Sequence, residues 1–96
     1  MKLDILLEEV ERQQIGYYCI VSNSHRYDIA VTYSQQFLGK AMVTSIQNGR
    51  MVLLSQEDIG EEQYWATKLG IEVEDIEEFQ SFFYMILQSQ RLEEQY

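Results

Sequence analysis

The chain has 96 residues, no proline, one cysteine and a formal net charge of −9. A chain of this length forms a single domain, residues 1–96, whose core needs no disulfide or metal. The negative charge argues against nucleic acid and anionic membranes as partners, because phosphate groups require clustered Lys and Arg. The lone cysteine, the acidic N-terminus and the lack of an apolar run of about 20 residues predict a soluble cytoplasmic protein.

The first predicted element is a short N-terminal helix over residues 3–13. Leu3, Leu6, Leu7 and Val10 have helical spacing, and acidic residues occupy the opposite side. Because short isolated helices are marginal in water, we expect this helix to dock at an edge of a sheet or on its second face.

Two strands are predicted next. Residues 17–22 are β-rich and apolar on both faces, which is typical of a central strand. Residues 27–33 alternate cleanly, with Tyr27, Ile29 and Val31 on one side, and this pattern predicts a strand with one covered face.

The dipeptide Asn48-Gly49 predicts a β-hairpin between residues 41–47 and 50–55. A two-residue type I′ turn would place Gln47 opposite Arg50 and Ile46 opposite Met51. Both faces of the hairpin carry apolar side chains, so we expect both sides of the sheet to be covered at least in part. Four consecutive strands with short connections favour an antiparallel meander.

Two helices are predicted after the hairpin. The first spans residues 57–69, with Ser55 or Asp58 as its cap and Gly70 as its stop. The second spans residues 73–92, and its apolar stripe consists of Ile76, Phe79, Phe83 and Ile86. The predicted fold class is therefore α+β: a four-stranded antiparallel sheet, two C-terminal helices on one face, and a short N-terminal helix.

The segments R-Y-D-I-A-V-T-Y-S-x-x-F-x-G-K-A-M-V at residues 26–43 and G-R-M-V-L-L-S-Q-E-D at residues 49–58 carry a family resemblance. The chain resembles a family of small uncharacterised cytosolic proteins of low-GC Gram-positive bacteria, a domain of unknown function. The resemblance covers about residues 17–87. It implies a cytosolic α+β protein and transfers no known active site.

Candidate catalytic chemistry is sparse in this sequence. His25 follows a strand that contains Cys19, but a second His or Cys for a metal site is absent, and so is the Gly-x-Ser-x-Gly motif. We single out no catalytic, metal-binding or cofactor-binding residue. A small enzyme or ligand-binding domain remains an alternative, with its site near His25, Tyr27, Asp28 and Lys40.

Acidic residues cluster between residues 57 and 78, where Lys68 is the single basic residue. Three interpretations compete: solubility with favourable charge at helix N-termini, a docking surface for a basic protein partner, and divalent metal binding. The residues are Glu57, Asp58, Glu61, Glu62, Glu72, Glu74, Asp75, Glu77 and Glu78.

Residues 82–87 are apolar nearly all round the predicted helix, which indicates a crowded core or a partner chain. The first functional hypothesis is therefore a non-enzymatic interaction or regulatory protein that forms a homodimer. Its assembly surface would be the second sheet face or the group Phe82, Phe83, Met85 and Ile86.

Overall fold

The computed structural model of the protein describes residues 2–94, with the backbone alone for residues 88–94. Four strands form one antiparallel sheet in the order β1-β2-β3-β4, and two helices follow them. The elements are β1 Gln14–Val21, β2 Arg26–Tyr33, β3 Ala41–Ser45, β4 Met51–Leu54, α1 Glu62–Leu69 and α2 Ile76–Glu94. This architecture confirms the predicted α+β class, the four-stranded meander and the two C-terminal helices.

The core lies between one face of the sheet and the two helices. Strand alternation directs Ile29, Val31 and Val43 to this covered face, where each is at most 1% exposed. The helices contribute the other half of the core, with the buried residues Trp65, Ala66, Leu69, Phe79, Phe83, Ile86 and Leu87. The alternation predicted for β2 and the apolar stripe predicted for α2 are both confirmed.

Aromatic side chains connect the helices to each other and to the sheet. The rings of Trp65 and Phe83 lie edge to face with their centroids 5.2 Å apart. The rings of Tyr27 and Phe79 make the same type of contact at 4.9 Å. Each such pair contributes about 0.5–1.5 kcal/mol beyond its buried area, so the ring geometry helps to set the position of α2 on the sheet.

The helix boundaries follow local signals. Gly70 ends α1 with φ of 69°, and its amide donates to the carbonyls of Ala66 and Thr67. Ser55 and Asp58 form a capping box around the 3₁₀ turn Gln56–Asp58, and α1 itself begins at Glu62. The predicted stop at Gly70 is therefore confirmed, whereas the predicted helix start belongs to a separate turn.

The β3–β4 hairpin forms, but its predicted register is wrong. Thr44 faces Met51, and the Ser45 amide donates to the Arg50 carbonyl, so four residues form the loop. The reason lies in competing hydrogen bonds. The Ile46 amide donates to the Asp28 carbonyl of β2, and the Asn48 side chain donates to the Lys68 carbonyl of α1.

Strand β1 is an edge strand, which corrects the prediction of a central strand. It pairs with β2 along its whole length, from Gln14 opposite Tyr33 to Val21 opposite Arg26. The side chains on one side of β1, which include Tyr17 and Val21, are exposed. Apolar residues on both faces therefore do not signal a central position in this sheet.

The predicted N-terminal helix is not present. Residues 2–13 adopt no regular secondary structure, although Leu3, Leu6, Leu7 and Val10 have the expected spacing. The spacing specifies which side of a helix would be apolar, but a helix of this length also needs a surface on which to pack. In the single chain residues 2–13 do not pack on such a surface, since Leu3, Leu6 and Val10 are 85%, 95% and 93% exposed.

Candidate functional site

The face of the sheet opposite the helices is open to solvent. Its most exposed apolar side chains are Ile15, Tyr17, Val21 and Met51, with exposed fractions of 46%, 71%, 72% and 53%. Half-buried Met42 and Leu53 lie opposite each other within the same face. We call this surface the open face. Several large apolar side chains exposed on one face of a small domain indicate a binding surface.

Polar groups interrupt the open face near one end of β2. Arg26 Nε lies 3.2 Å from Asp28 Oδ2, and the Gln47 side chain donates to the same carboxylate at 2.7 Å. The bond from Arg26 is the main cause that lowers the pKa of Asp28. Cys19, opposite Asp28 in the strand register, is exposed on the same side. Asp28 is therefore engaged on the open face, on the other side of the sheet from Tyr27.

Residues 2–13 form a second uncovered apolar surface, which we call the N-terminal arm. Its large apolar side chains are Leu3, Ile5, Leu6, Leu7 and Val10, with exposed fractions of 85%, 78%, 95%, 72% and 93%. Four acidic residues, Asp4, Glu8, Glu9 and Glu11, lie among or next to them along the arm. The arm thus presents apolar side chains that contact little of the same chain.

The base of the N-terminal arm is attached to the connection between β2 and β3. The Ser34 hydroxyl donates to the Glu11 carboxylate, and the Gln36 side chain donates to the Glu9 carboxylate. The bond from Ser34 is the main cause that lowers the pKa of Glu11. Gln14 pairs with Tyr33, the last residue of β2. The arm, which precedes Gln14, therefore runs beyond the end of β2 along the line of β1.

A buried polar cluster lies at the other end of β2. Asp75 is 5% exposed, and its carboxylate accepts hydrogen bonds from the Tyr27 hydroxyl at 2.6 Å and from the Ser22 hydroxyl at 3.0 Å. His25 Nδ1 lies 3.4 Å from Asp75 Oδ2 and has no hydrogen-bond partner of standard geometry. The Tyr27 hydroxyl in turn accepts the Glu72 amide at 3.2 Å.

The protonation states in this cluster are complementary. Burial, followed by the bond to Asp75, raises the pKa of Tyr27 to about 12, so its hydroxyl stays a donor. The bond from Tyr27, assisted by Ser22 and His25, lowers the pKa of Asp75. A charged carboxylate therefore connects the β1–β2 turn, strand β2 and the start of α2.

A cleft of about 310 Å³ adjoins this cluster. His25, with 35% of its side chain exposed, lines it together with Gly70, Glu72 and Asn48. The Asp–His pair resembles the orienting half of a catalytic triad, but the Ser22 hydroxyl donates to Asp75 and accepts from the His25 amide. The cluster therefore lacks a free nucleophile at its Ser22 position.

The four residues of the predicted ligand site do not converge. His25 and Tyr27 lie together, whereas Asp28 is on the open face. Lys40 Nζ lies 3.0 Å from Asp58 Oδ2. Burial opposes ionisation of Asp58, but hydrogen bonds from the Ser55 amide and from Lys40 outweigh it and lower the pKa of Asp58.

The nine acidic residues of the predicted docking surface fall into two groups. Asp58 and Asp75 make internal hydrogen bonds, to Ser55 and to Tyr27 and Ser22 respectively. The remaining seven, all exposed, are Glu57, Glu61, Glu62, Glu72, Glu74, Glu77 and Glu78. The sequence did not reveal the internal role of Asp75, because a carboxylate at the start of a helix usually faces solvent.

The predicted assembly surface on α2 is divided between core and surface. Phe83 is 0% and Ile86 is 6% exposed, so both belong to the core of the single chain. Phe82 is half-buried, with its ring centroid 5.0 Å from that of Tyr18. Met85 is 60% exposed. The crowded core thus accounts for much of the apolar surplus of α2.

Two kinds of feature are absent from the described part of the chain. None of its helices is long and apolar enough to cross a membrane. Within the same residues, no three His, Cys, Asp or Glu side chains come together in a way that would hold a metal ion.

The fold and these surfaces define a small α+β domain with helices on one side of an antiparallel sheet and an uncovered apolar face on the other. Comparison with known families supports a more particular assignment. The chain belongs to the SAV0927-like family, a family of uncharacterised proteins whose model matches residues 6–85. No curated protein matches the chain. The resemblance seen in the sequence to an uncharacterised family is thereby confirmed.

Proposed function

We propose that this chain is a non-enzymatic interaction protein that assembles as a homodimer through its open face. The observation that carries the proposal is the exposure of Tyr17 and Val21, 71% and 72%, on a sheet face without a helix over it. Burial of exposed apolar area of this kind stabilises a complex by about 25 cal/mol per Å². In a two-fold dimer, the open face of each copy is buried by its partner in the same way.

The geometry favours the open face over α2 as the assembly surface. Three of the exposed apolar residues of the open face lie on one strand, and Met51 lies across the sheet from them. On α2, Met85 is exposed, but Phe83 and Ile86 already pack within the chain. The open face therefore offers the wider apolar area.

Sedimentation equilibrium at micromolar concentration tests the proposal. We expect the wild type to sediment as a dimer of the 11.4 kDa chain and Tyr17→Lys to sediment as a monomer. Met85→Lys is the matched control, because it places the same charge at an exposed apolar position on α2. A monomeric wild type would contradict the proposal, and so would a dimer that Met85→Lys dissociates and Tyr17→Lys does not.

Alkylation of Cys19 gives a second readout, since this exposed cysteine lies on the open face. We expect the rate of alkylation in the wild type to fall as protein concentration rises through the dimerisation range. In Tyr17→Lys the rate should stay constant over that range. A wild-type rate that does not depend on concentration would place the interface elsewhere.

The exposed carboxylates support a basic protein as a further partner. The seven lie on or near the helical side, so a docked partner and the open-face dimer do not compete for the same surface. Pull-down with the wild type and with Glu61→Lys/Glu77→Lys tests this idea. Loss of a basic partner on charge reversal supports docking, whereas an unchanged set of bound proteins removes it.

A second candidate function is ligand binding in the cleft beside His25. The observation that favours it is the Asp75–His25 contact of 3.4 Å at the border of a cleft of about 310 Å³. A thermal-shift screen of small polar compounds tests it, with His25→Gln as the variant. Stabilisation that persists in His25→Gln, or no stabilisation by any compound, would reject this function.

A further inference from the structure

The molecule carries two uncovered apolar surfaces, and the two differ in shape. The open face is a broad sheet surface around Tyr17 and Met51. The N-terminal arm is a narrow segment in which Leu3, Leu6 and Val10 recur with helical spacing and are 85%, 95% and 93% exposed. A sheet face and the apolar side of a helix are the two surfaces that pack against each other in α+β domains.

We propose that the N-terminal arm of each copy folds into a helix on the open face of a second copy. This inference rests on the proposed open-face dimer and names the segment that completes it. The arm is too short to hold a helix by itself in water, so it needs a surface that buries its apolar side. The open face of the second copy provides that surface.

The attachment of the arm favours a second copy over the same chain. The contacts of Glu9 with Gln36 and of Glu11 with Ser34 lead the arm past the end of β2. To reach its own open face, the arm would have to release both contacts and reverse direction just before β1 begins at Gln14. Docking on a second copy leaves the Glu11–Ser34 contact in place, because a helix over residues 3–10 ends before Glu11.

The available area matches what a stable dimer requires. A large aliphatic side chain offers on the order of 100 Å² of apolar surface. With the exposed fractions given above, the apolar side of the helical arm (Leu3, Leu6, Leu7 and Val10) contributes about 350 Å² and the open face about 250–300 Å². The sum for one copy, about 600–650 Å², approaches the roughly 800 Å² per partner of a standard protein interface.

Charge favours a protein surface over a lipid surface as the occupant. In a helical arm, Asp4 and Glu8 would lie on the polar side and point to solvent. Membrane-binding amphipathic helices carry Lys and Arg on that side, because anionic lipids attract them. The acidic arm is repelled by such lipids, whereas the charged side chains of the open face, Arg26 and Asp28, pair with each other.

Dimerisation of arm variants tests the exchange. Removal of residues 2–10, or the single change Leu6→Glu, is expected to weaken the dimer at least about 100-fold in sedimentation equilibrium. Glu8→Gln on the polar side of the arm is the matched control and should dimerise like the wild type. Because Leu6 is 95% exposed, its replacement leaves the packing of the single chain unchanged.

Mixing two defective chains gives the sharper test. The chain without residues 2–10 keeps an intact open face, and Tyr17→Lys keeps an intact arm. If arms are exchanged, each variant alone is monomeric at concentrations where the wild type is dimeric, and an equimolar mixture forms a one-to-one dimer with one good arm–face contact. Helical ¹³C chemical shifts for residues 3–10 are expected in that mixture and in the wild-type dimer.

The outcomes separate this inference from the proposed function. A dimer that survives arm removal but not Tyr17→Lys overturns the exchange and leaves the open-face dimer standing. A wild type that stays monomeric overturns both the open-face dimer and the arm exchange. A helical arm in a monomeric wild type also counts against the exchange, because it shows that the arm packs on its own chain. A mixture in which the two variants associate no more tightly than each variant does alone overturns the exchange.

Discussion

The two faces of the sheet are built from the same strands but differ in burial: one is covered by helices, and the other is exposed. On the covered face, Ile29, Val31 and Val43 are at most 1% exposed beneath α1 and α2. On the open face, Tyr17 and Val21 are more than 70% exposed, and Thr and charged side chains separate the apolar ones. Alternation sorts residues into two sides, but a side becomes core only when another element brings apolar surface to it.

The largest contrast between the faces is expected in core stability. Phe83→Ala removes a ring that contacts Trp65 and Phe79 in the covered core. We expect the free energy of unfolding to fall by about 3–5 kcal/mol, because a cavity replaces the ring. Urea unfolding measures the change. Met85→Ala, two residues along the same helix, is the control and should change stability by no more than about 0.5 kcal/mol.

The next effect concerns the buried Asp75 carboxylate and is expected at low pH. The pKa of Asp75 is lower in the folded chain than in the unfolded chain, with Tyr27 as the main cause. Its contribution to stability is therefore present above the unfolded pKa, about 4, and disappears as pH falls through the folded pKa.

Urea unfolding between about pH 2 and pH 6 measures this dependence. Asp75→Asn should be less stable than the wild type near neutral pH, and the difference should shrink on acidification. Glu78→Gln, at an exposed position on α2, is the matched control. A difference between Asp75→Asn and the wild type that stays constant across the range would contradict the assigned charge of Asp75.

A smaller effect is expected for Tyr27→Phe. This change keeps the ring contact with Phe79 and removes the hydroxyl that donates to Asp75 and accepts from the Glu72 amide. We expect a loss of about 1–2 kcal/mol in the free energy of unfolding. Tyr84→Phe, at a 45% exposed position, should cost less than about 0.5 kcal/mol, and equal losses for both variants would argue against the cluster.

The smallest effect on the single chain is expected on the open face. Tyr17→Thr should change the free energy of unfolding by no more than about 0.5 kcal/mol at concentrations where the protein is monomeric. The same change should weaken the dimer, because the ring is then missing from the interface. A large loss of monomer stability would mean that the open face is already covered within one chain.

Much of the fold was predictable because it depends on local patterns. The alternation of β2 predicted its buried side, and the spacing of Phe79 and Phe83 predicted the inward stripe of α2. Gly70 marked the end of α1, since a residue with φ of 69° strongly favours glycine. These signals depend only on residues that are close to one another in the sequence.

The candidate site was less predictable because its partners are distant in sequence. Asp75 meets Tyr27 across 48 positions, and no local pattern distinguishes it from the surrounding exposed acids. The same limit applies to the hairpin register. The Asn48 side chain donates to the Lys68 carbonyl at the end of α1, and Asn48 does not adopt the positive φ that the Asn-Gly turn favours. Long-range hydrogen bonds decide both outcomes.

The sequence by itself determined which residues form strands and helices and which side of each one is apolar, because those properties follow from periodicity and turn chemistry. Only the tertiary structure decided which apolar sides are satisfied within one chain. Two helices cover one face of the sheet, and nothing in the described residues covers the open face or the apolar side of the N-terminal arm. The physical reason is that burial requires a matching surface at the right place, and within residues 2–94 the two helices supply that surface for one face of the sheet.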